Sequence, residues 1–432
     1  PAQAQLLDMD LMRACFDSRR VYPGDIFCAI PGHSQQGADF IQSALDAQAS
    51  MLLVDQVREQ FNCPQLVVGD ELSLAAAHCA DLLAGRPSSK IWCAAVTGTN
   101  GKTTIVSLLH QIFGLLNVKS GMLSTIHNKI NDKVISSTHT TPDALQINYL
   151  LNKMIEEECE YCFMEVSSHT ISQGRVNGLD FAAGIFTNIT QDHLDYHNTF
   201  AEYRDVKKLF FDSLSKSAFA LVNKDDKNGM KMLEGTKANQ LSYSLKSVSD
   251  YKCKVLENQF DGMLLSINKV DVWVKLIGEF NAYNMLSVYA VANLFDFEDY
   301  QVLTALSMLM PVEGRFQYLQ SEEKITAIVD YAHTDDALKN VIATINSIRT
   351  NAEKLITVMG CGGDRDKTKR PLMAAVACNL SNQVIFTADN PRSENPDTII
   401  KDMMEPSIIS ISTHCPLSIT IALLITLFSS IN

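Results

Sequence analysis

Residues 91–116 read IWCAAVTGTNGKTTIVSLLHQIFGLL, and this stretch decides the fold. The apolar run Ile91 to Thr97 stops at Gly98, and from Thr103 apolar residues recur at helical spacing, which predicts strand, loop and helix in succession. The loop itself is Gly98-Thr99-Asn100-Gly101-Lys102-Thr103-Thr104. Its glycines let backbone N–H groups turn inward on phosphate oxygens, the helix N-terminus adds positive potential, Lys102 reaches terminal phosphates and Thr103 can ligate Mg²⁺. The match to G-x-x-x-x-G-K-[ST] is incomplete, because Val96 stands where the first glycine belongs. The strand before it and the helix after it distinguish this phosphate loop from an ordinary turn.

Outward from the loop, YCFMEV (161–166), AGIFTNI (183–189) and FALVN (219–223) alternate with helical segments, the pattern of a mostly parallel α/β sheet. AGRPSSK at 84–90 breaks a helical pattern and reads as a linker, and a second boundary falls near Pro311 to Gly314. Beyond it ITAIVDYAH, LITVMGCGG and VIFTAD alternate with helices from Asp335 and Lys369. The expectation is three α/β domains, 1–87, 88–312 and 313–406, followed by a stretch 407–432 that contains no Asp, Glu, Lys or Arg. That last stretch reads as a buried or artefactual tail, a marginal membrane anchor, or a misread end. Its apolar core, Leu417 to Ile431, is shorter than the roughly 20 residues a spanning helix needs, so no stable membrane insertion is expected. The stretch is expected to pack poorly.

Composition narrows the function. The 432 residues carry 36 basic against 49 acidic side chains, a net charge of −13, with 46% hydrophobic residues. This is globular composition, and with no run of Lys or Arg it argues against a nucleic-acid partner. Eleven scattered cysteines, an odd number, fit reduced thiols, and no basic-then-apolar leader is present, so a cytoplasmic location is expected. Cys159 and Cys162 form a C-x-x-C, but with no second Cys/His pair at zinc spacing they read as buried small hydrophobes.

Glu165 ends YCFMEV and so projects from the carboxyl edge of a parallel strand, where ligands of α/β proteins bind. The next strand leads into Asp192-His193-Leu194-Asp195-Tyr196-His197, which by itself fits a zinc site or a polar turn. Beside a nucleotide loop, hard ligands suit Mg²⁺ better than zinc. Glu165 and His193 are therefore the metal-ligand candidates.

GTNGKTT, HTTPDA (139–144), MEVSSH (164–169), FTNITQDHLDYH (186–197), EFNAYN (279–284), EGRF (313–316), DYAHT (330–334), GCGGDRDKTKRP (360–371) and DNPRSENP (389–396) occur in the order seen in Mur ligases. The chain resembles in particular the members that add the third residue of the peptidoglycan stem peptide. The opening segment, with Asp17-Ser18-Arg19 and PGDIFCAIPGHSQQGADFI, resembles their uridine-nucleotide domain. The resemblance implies a central ATP-binding domain, a C-terminal Rossmann-like domain that binds the amino acid, and a monomer acting on small molecules. It implies that ATP phosphorylates the γ-carboxylate of UDP-N-acetylmuramoyl-L-alanyl-D-glutamate and that an amine attacks the acyl phosphate. That chemistry is physically sensible, since a carboxylate must be activated before it can acylate, and anions meet only where cations neutralise them.

By the same resemblance, Gly98, Thr99, Asn100, Gly101, Lys102, Thr103 and Thr104 hold ATP, together with Asn281, Arg315 and Asp330. Thr103, Glu165 and His193 hold Mg²⁺, and Lys207, matching a lysine the family carbamylates, supplies a further metal oxygen. Lys102, His193 and Lys207 are the catalytic set. The uridine part maps to Ser18, His33, Ser34 and Gln35, and the peptide part to Thr140, Thr141, Ser167, Gln173 and Arg175. On local sequence alone Asn281 reads as a helix cap, Asp330 as a strand-end turn, and Lys207 and Arg175 as surface residues. Asp389-Asn390-Pro391-Arg392 matches members that add meso-diaminopimelate, with Arg365 as a second contact. A guanidinium can grip the distal carboxylate that lysine lacks.

Two departures stand out. Asp335 replaces the usual proline, which alters a helix start. The resemblance stops near 405, before the Gly-Lys-Gly-His-Glu motif that completes the family's amino-acid pocket. A truncated, catalytically impaired member and a folylpolyglutamate-synthetase-like ligase are the alternative readings.

Overall fold

The computed structural model describes residues 11–31, 36–135, 142–194, 196–322, 325–350, 352–387, 389–404 and 420–424. The predicted strand Trp92–Thr97 lies at the heart of an 11-stranded sheet, parallel to Ala183–Phe186 on one side and Tyr161–Glu165 on the other. Phe219–Asn223 and Asn239–Ser244 continue the parallel run, and Ser120–Leu123 extends it in the other direction. Antiparallel strands finish both edges, a meander over Tyr251–Val274 and a hairpin over Asn128–Ile135. The central strands are apolar without alternation because both faces are covered. On one face, helices Lys102–Leu115 and Glu279–Leu294 pack Ile105, Leu109, Phe113, Met285 and Val288 against Ala94 and Val96. On the other, helices Ala144–Glu156 and Phe200–Ser213 place Leu151 and Phe211 against Ala95, Cys162 and Met164.

Four parallel strands, Ala14–Cys15, Ile26–Cys28, Met51–Val54 and Gln65–Val67, form the N-terminal sheet, covered by helix Leu72–Leu83. The C-terminal sheet runs Gln317–Gln320, Thr326–Val329, Thr420–Leu424, Lys354–Met359 and Gln383–Phe386, parallel except for its first pair. This corrects the expectation for the charge-free stretch. Thr420–Leu424 pairs on both sides within the sheet, a position that an uncharged run of β-branched and aliphatic residues suits. The remainder of 407–432 lies outside the described residues.

The C-terminal core also takes in Ile277 and Phe280 from the start of helix Glu279–Leu294. Gly278 between them has φ +96°, and a Cβ there would approach Thr344 to 2.9 Å. Cys159 and Cys162 are buried, as expected, and the cysteines among the described residues are free thiols. No helix among these residues is long and apolar enough to cross a membrane.

Candidate active site

The phosphate loop sits at the carboxyl edge of the central strand, and its two glycines are obligatory. Gly98 has φ +147°, and a Cβ there would fall 2.0 Å from Thr187 Oγ1. Gly101, at φ +89°, caps helix Lys102–Leu115 and faces Asn284 Oδ1 at 2.8 Å from the missing Cβ. Asn188 and Thr187 brace the loop from the next strand. The Asn100 N–H donates to Asn188 Oδ1 at 3.0 Å, and Thr187 Oγ1 donates to the Asn100 carbonyl at 2.6 Å. Thr99 Oγ1 meets the Tyr203 hydroxyl at 3.1 Å.

Two lysines converge on one carbonyl. Lys102 Nζ donates to Gly98 O at 3.0 Å and to Thr99 O at 2.6 Å, and Lys207 Nζ donates to Gly98 O at 3.1 Å. Lys207 is 1% exposed, 4.6 Å above the Tyr203 ring, so its reading as a surface residue is wrong. Of the Lys207-Lys208 pair, Lys208 takes the ion pair with Asp212, and Lys207 turns inward one helical step away. Burial, with Lys102 adding repulsion, holds the Lys207 amine well below the ordinary lysine range. Burial also lowers Lys102, although Glu165 and Asp192 oppose that shift.

Glu165 Oε1 accepts from the Thr125 N–H at 3.0 Å, and Thr125 Oγ1 stands 3.5 Å from Thr103 Oγ1. Arg315 reaches across from the C-terminal unit, donating to Thr103 Oγ1 at 3.1 Å while its guanidinium lies 4.4 Å from the Tyr331 ring centre. His193 has φ +54°, a left-handed conformation held by its neighbours, and burial pushes its imidazole down to about 3, which leaves a neutral ring. Asp192 is the hub of this edge: His193 lies 3.4 Å, His333 3.6 Å and Lys369 3.8 Å from its carboxylate. Burial alone would raise Asp192, but the hydrogen bond from His333, with Lys369 close by, holds it well below the carboxylate range.

Asn281 is no helix cap. Gly278 holds that position, and Asn281 lies buried in the first turn, its Nδ2 donating to Ile277 O at 2.8 Å and its Oδ1 accepting from Asn284 at 3.0 Å. Asp330 does make the strand-end turn, accepting from the N–H groups of Phe316 at 2.7 Å and Ala332 at 2.8 Å. Beside Glu165, a small cleft is lined by Thr125, Pro142, Ile147, Ser167 and Thr170.

Ser18 is buried in the N-terminal unit. Ser167 caps helix Ser168–Ser172, accepting from the Thr170 N–H at 3.1 Å, and Gln173 and Arg175 follow that helix. Arg175 is half-buried, and burial lowers it. His33, Ser34, Gln35, Thr140 and Thr141 lie outside the described residues.

In the C-terminal unit the GCGGDRDKTKRP and DNPRSENP motifs are zipped together. The Gly363 N–H donates to Asn390 O at 2.9 Å, and a Cβ on Gly363 would strike Pro391 O at 1.9 Å. Arg392, at φ +47°, is exposed and donates to Gly363 O. Arg365 is exposed on the same loop, and Asp389 is half-buried, its carboxyl raised by burial. Thr125, Asn188, Asp192, His333 and Lys369 join the site without having been singled out from sequence. Asp192 stood within the DHLDYH run and His333 within DYAHT, but only folding shows that they meet.

Fold and site together define a multidomain phosphate-loop protein whose nucleotide edge is shared between two α/β units. Residues 15–78 match the Mur ligase family catalytic domain, 96–292 the Mur ligase middle domain, and 314–417 the Mur ligase glutamate ligase domain. The last match runs past 405, where the sequence resemblance had been taken to stop. The chain is 47% identical over 402 residues to the UDP-N-acetylmuramoyl-L-alanyl-D-glutamate--2,6-diaminopimelate ligase of Cytophaga hutchinsonii, covering 92% of this chain and 82% of that protein. It is 50% identical over 390 residues to the protein of the same name from Phocaeicola vulgatus, covering 90% and 80%. A solved structure bearing that name superposes with a TM-score of 0.72 at 29% identity, over 96% of this chain and 88% of the other. Folylpolyglutamate synthase of Mycobacterium tuberculosis shares the fold, with a TM-score of 0.64 at 16% identity over 82% and 86%. The chain belongs to the Mur ligase family.

Proposed function

We propose that this chain is an ATP- and Mg²⁺-dependent amide ligase that joins meso-2,6-diaminopimelate to UDP-N-acetylmuramoyl-L-alanyl-D-glutamate in peptidoglycan synthesis, acting in the cytoplasm as a monomer. The observation that carries the reading is the convergence of Lys102 and Lys207 on the Gly98 carbonyl, beside Glu165 and His193. Two lysine amines hydrogen-bonded to backbone carbonyls and to no carboxylate make a site that gains from anionic ligands. The substrates named for the relatives are such anions.

The donor set suits Mg²⁺. A hydroxyl, a carboxylate and an imidazole beside a phosphate loop leave room on a hard cation for substrate phosphate oxygens. Thr103, Glu165 and the neutral His193 would hold it, and bound there it neutralises charge between phosphate and carboxylate oxygens. Lys207, kept uncharged, has the free amine that carbamylation requires: N–C bond formation with CO₂ releases a proton and leaves an anionic oxygen donor. Lys102 and Arg315 approach the phosphates from opposite units, and Asn281 and Asp330 stand where those units meet. Ser18, His33, Ser34 and Gln35 take the uridine part. Thr140, Thr141, Ser167, Gln173 and Arg175 take the peptide, and Arg365 with Asp389 to Arg392 takes the amino acid.

The test is ADP release that requires both UDP-muramoyl dipeptide and meso-diaminopimelate. Release independent of the amino acid, or equal use of lysine, overturns the reading. The folylpolyglutamate alternative rests on fold alone.

A further inference from the structure

Arg370 takes no part in the chemistry just described, yet it is 0% exposed and the largest fully buried side chain among the described residues. It opens helix Lys369–Leu380 and donates to three separate pieces of the C-terminal unit. Nη2 and Nη1 form a fork on Glu394, at 2.8 Å to Oε1 and 3.1 Å to Oε2. Nη1 also donates to Asp402 at 2.6 Å on helix Pro396–Met403, and Nη2 to the Gly362 carbonyl at 3.3 Å. Glu394 passes the tie onward, accepting from the Asp364 N–H at 2.6 Å. Asp364 in turn accepts from the Ser393 hydroxyl at 2.7 Å and the Ser393 N–H at 3.1 Å.

Glu394 stands two residues beyond Arg392 and could be taken for a group that receives a substrate ammonium. Its carboxylate is already engaged by Arg370, by the Asp364 N–H and by Lys367 at 3.2 Å. A carboxylate committed in that way holds backbone in place and is not available to a ligand. The loops it holds carry Arg365 and Arg392, both exposed, and Arg392 sits in a left-handed conformation that a loose loop would not keep.

We infer that the Arg370–Glu394 fork is a positioning element which locks the 360–368 loop to the 389–394 loop and so sets the guanidinium of Arg392 for an amino acid with a distal carboxylate. The inference rests on the proposed ligase reading for the identity of the amino acid, but the lock itself does not.

The experiment compares the unmodified protein with Arg370→Lys, Glu394→Gln and the exposed Ser393→Ala, which leaves the core untouched. Backbone hydrogen exchange is read over both loops, together with KM for meso-diaminopimelate, ATP and UDP-muramoyl dipeptide. Arg370→Lys and Glu394→Gln should lose protection in both loops, raise KM for diaminopimelate about tenfold or more, and narrow the preference over lysine. KM for the other two substrates should stay within about twofold. Ser393→Ala should move the same readouts in the same direction by a smaller factor. Unchanged exchange in the loops overturns the lock, and loosened loops with an unchanged diaminopimelate KM overturn its role in selection. An equal rise in all three KM values, or a fold lost in both core variants while Ser393→Ala behaves as unmodified, also overturns it. An unmodified protein that shows no diaminopimelate-dependent turnover counts against the ligase reading, and the exchange data then still judge the lock.

Discussion

The phosphate loop and the paired C-terminal loops both bury basic side chains, but they answer them differently. Lys102 and Lys207 share the carbonyl of Gly98, and burial lowers both amines. Arg370 is equally buried, yet Glu394 and Asp402 match it within hydrogen-bond distance, and the exposed arginines stand on the loops it holds. A buried basic side chain with only backbone carbonyls on it has its charge suppressed and gains from an anionic ligand; one with carboxylates on it is scaffold. The two regions therefore divide labour between binding charge and placing it.

That division can be broken by substitution. The largest effect is expected for Lys102→Ala, which should lower substrate-dependent ADP release by about 10³-fold or more, because a preorganised cation at the phosphates is removed. Lys207→Met should lower turnover about 10²-fold while leaving the melting temperature unchanged or higher. Arg370→Met should instead destabilise the fold by about 2 kcal/mol, since it strands Glu394 and Asp402. If the two variants traded places, with Lys207→Met unfolding and Arg370→Met unaffected in urea denaturation, the comparison would fail. Arg392→Ala should abolish the preference for diaminopimelate over lysine, an effect of about 10–100-fold in kcat/KM, with stability nearly unchanged.

The smallest effect is a pH dependence of stability. Burial pulls His110, bonded to Ser120 Oγ at 2.8 Å, down from 6.5 to about 4. Between those values the unfolded chain takes up a proton that the folded chain refuses, so this contribution is complete above about pH 6.5 and is lost as pH falls towards 4. His110→Gln should flatten the urea-midpoint slope across that window. An unaltered slope would place the acid sensitivity elsewhere.

The phosphate loop, its flanking strand and helix, and Glu165 at a strand end were legible because each depends on local pattern: an apolar run, a glycine, a helical period. Lys207 was not legible from local pattern, because YRDVKKLFF offers two adjacent lysines and only packing against Tyr203 shows which one turns inward. The cluster at Asp192 was equally hidden. His333 and Lys369 come from the C-terminal unit, one from a loop and one from a helix start, and no spacing along the chain encodes their approach. Thr125 escaped notice because its role lies in its backbone N–H, which any residue carries. Thr420–Leu424 was misjudged for a related reason: freedom from charge is what a paired inner strand and an unattached tail have in common.

Ile277 and Phe280 have a practical consequence for anyone who would cut this molecule apart. They belong in chain order to the nucleotide unit but sit in the apolar core of the C-terminal one, with Gly278 fitted against Thr344. A fragment ending near residue 312 would expose those side chains to water and leave the first turn of helix Glu279–Leu294, with Asn281, without its packing. Dissection at that point should yield a sticky fragment with a frayed helix start, so binding measured on it would understate what the intact chain does.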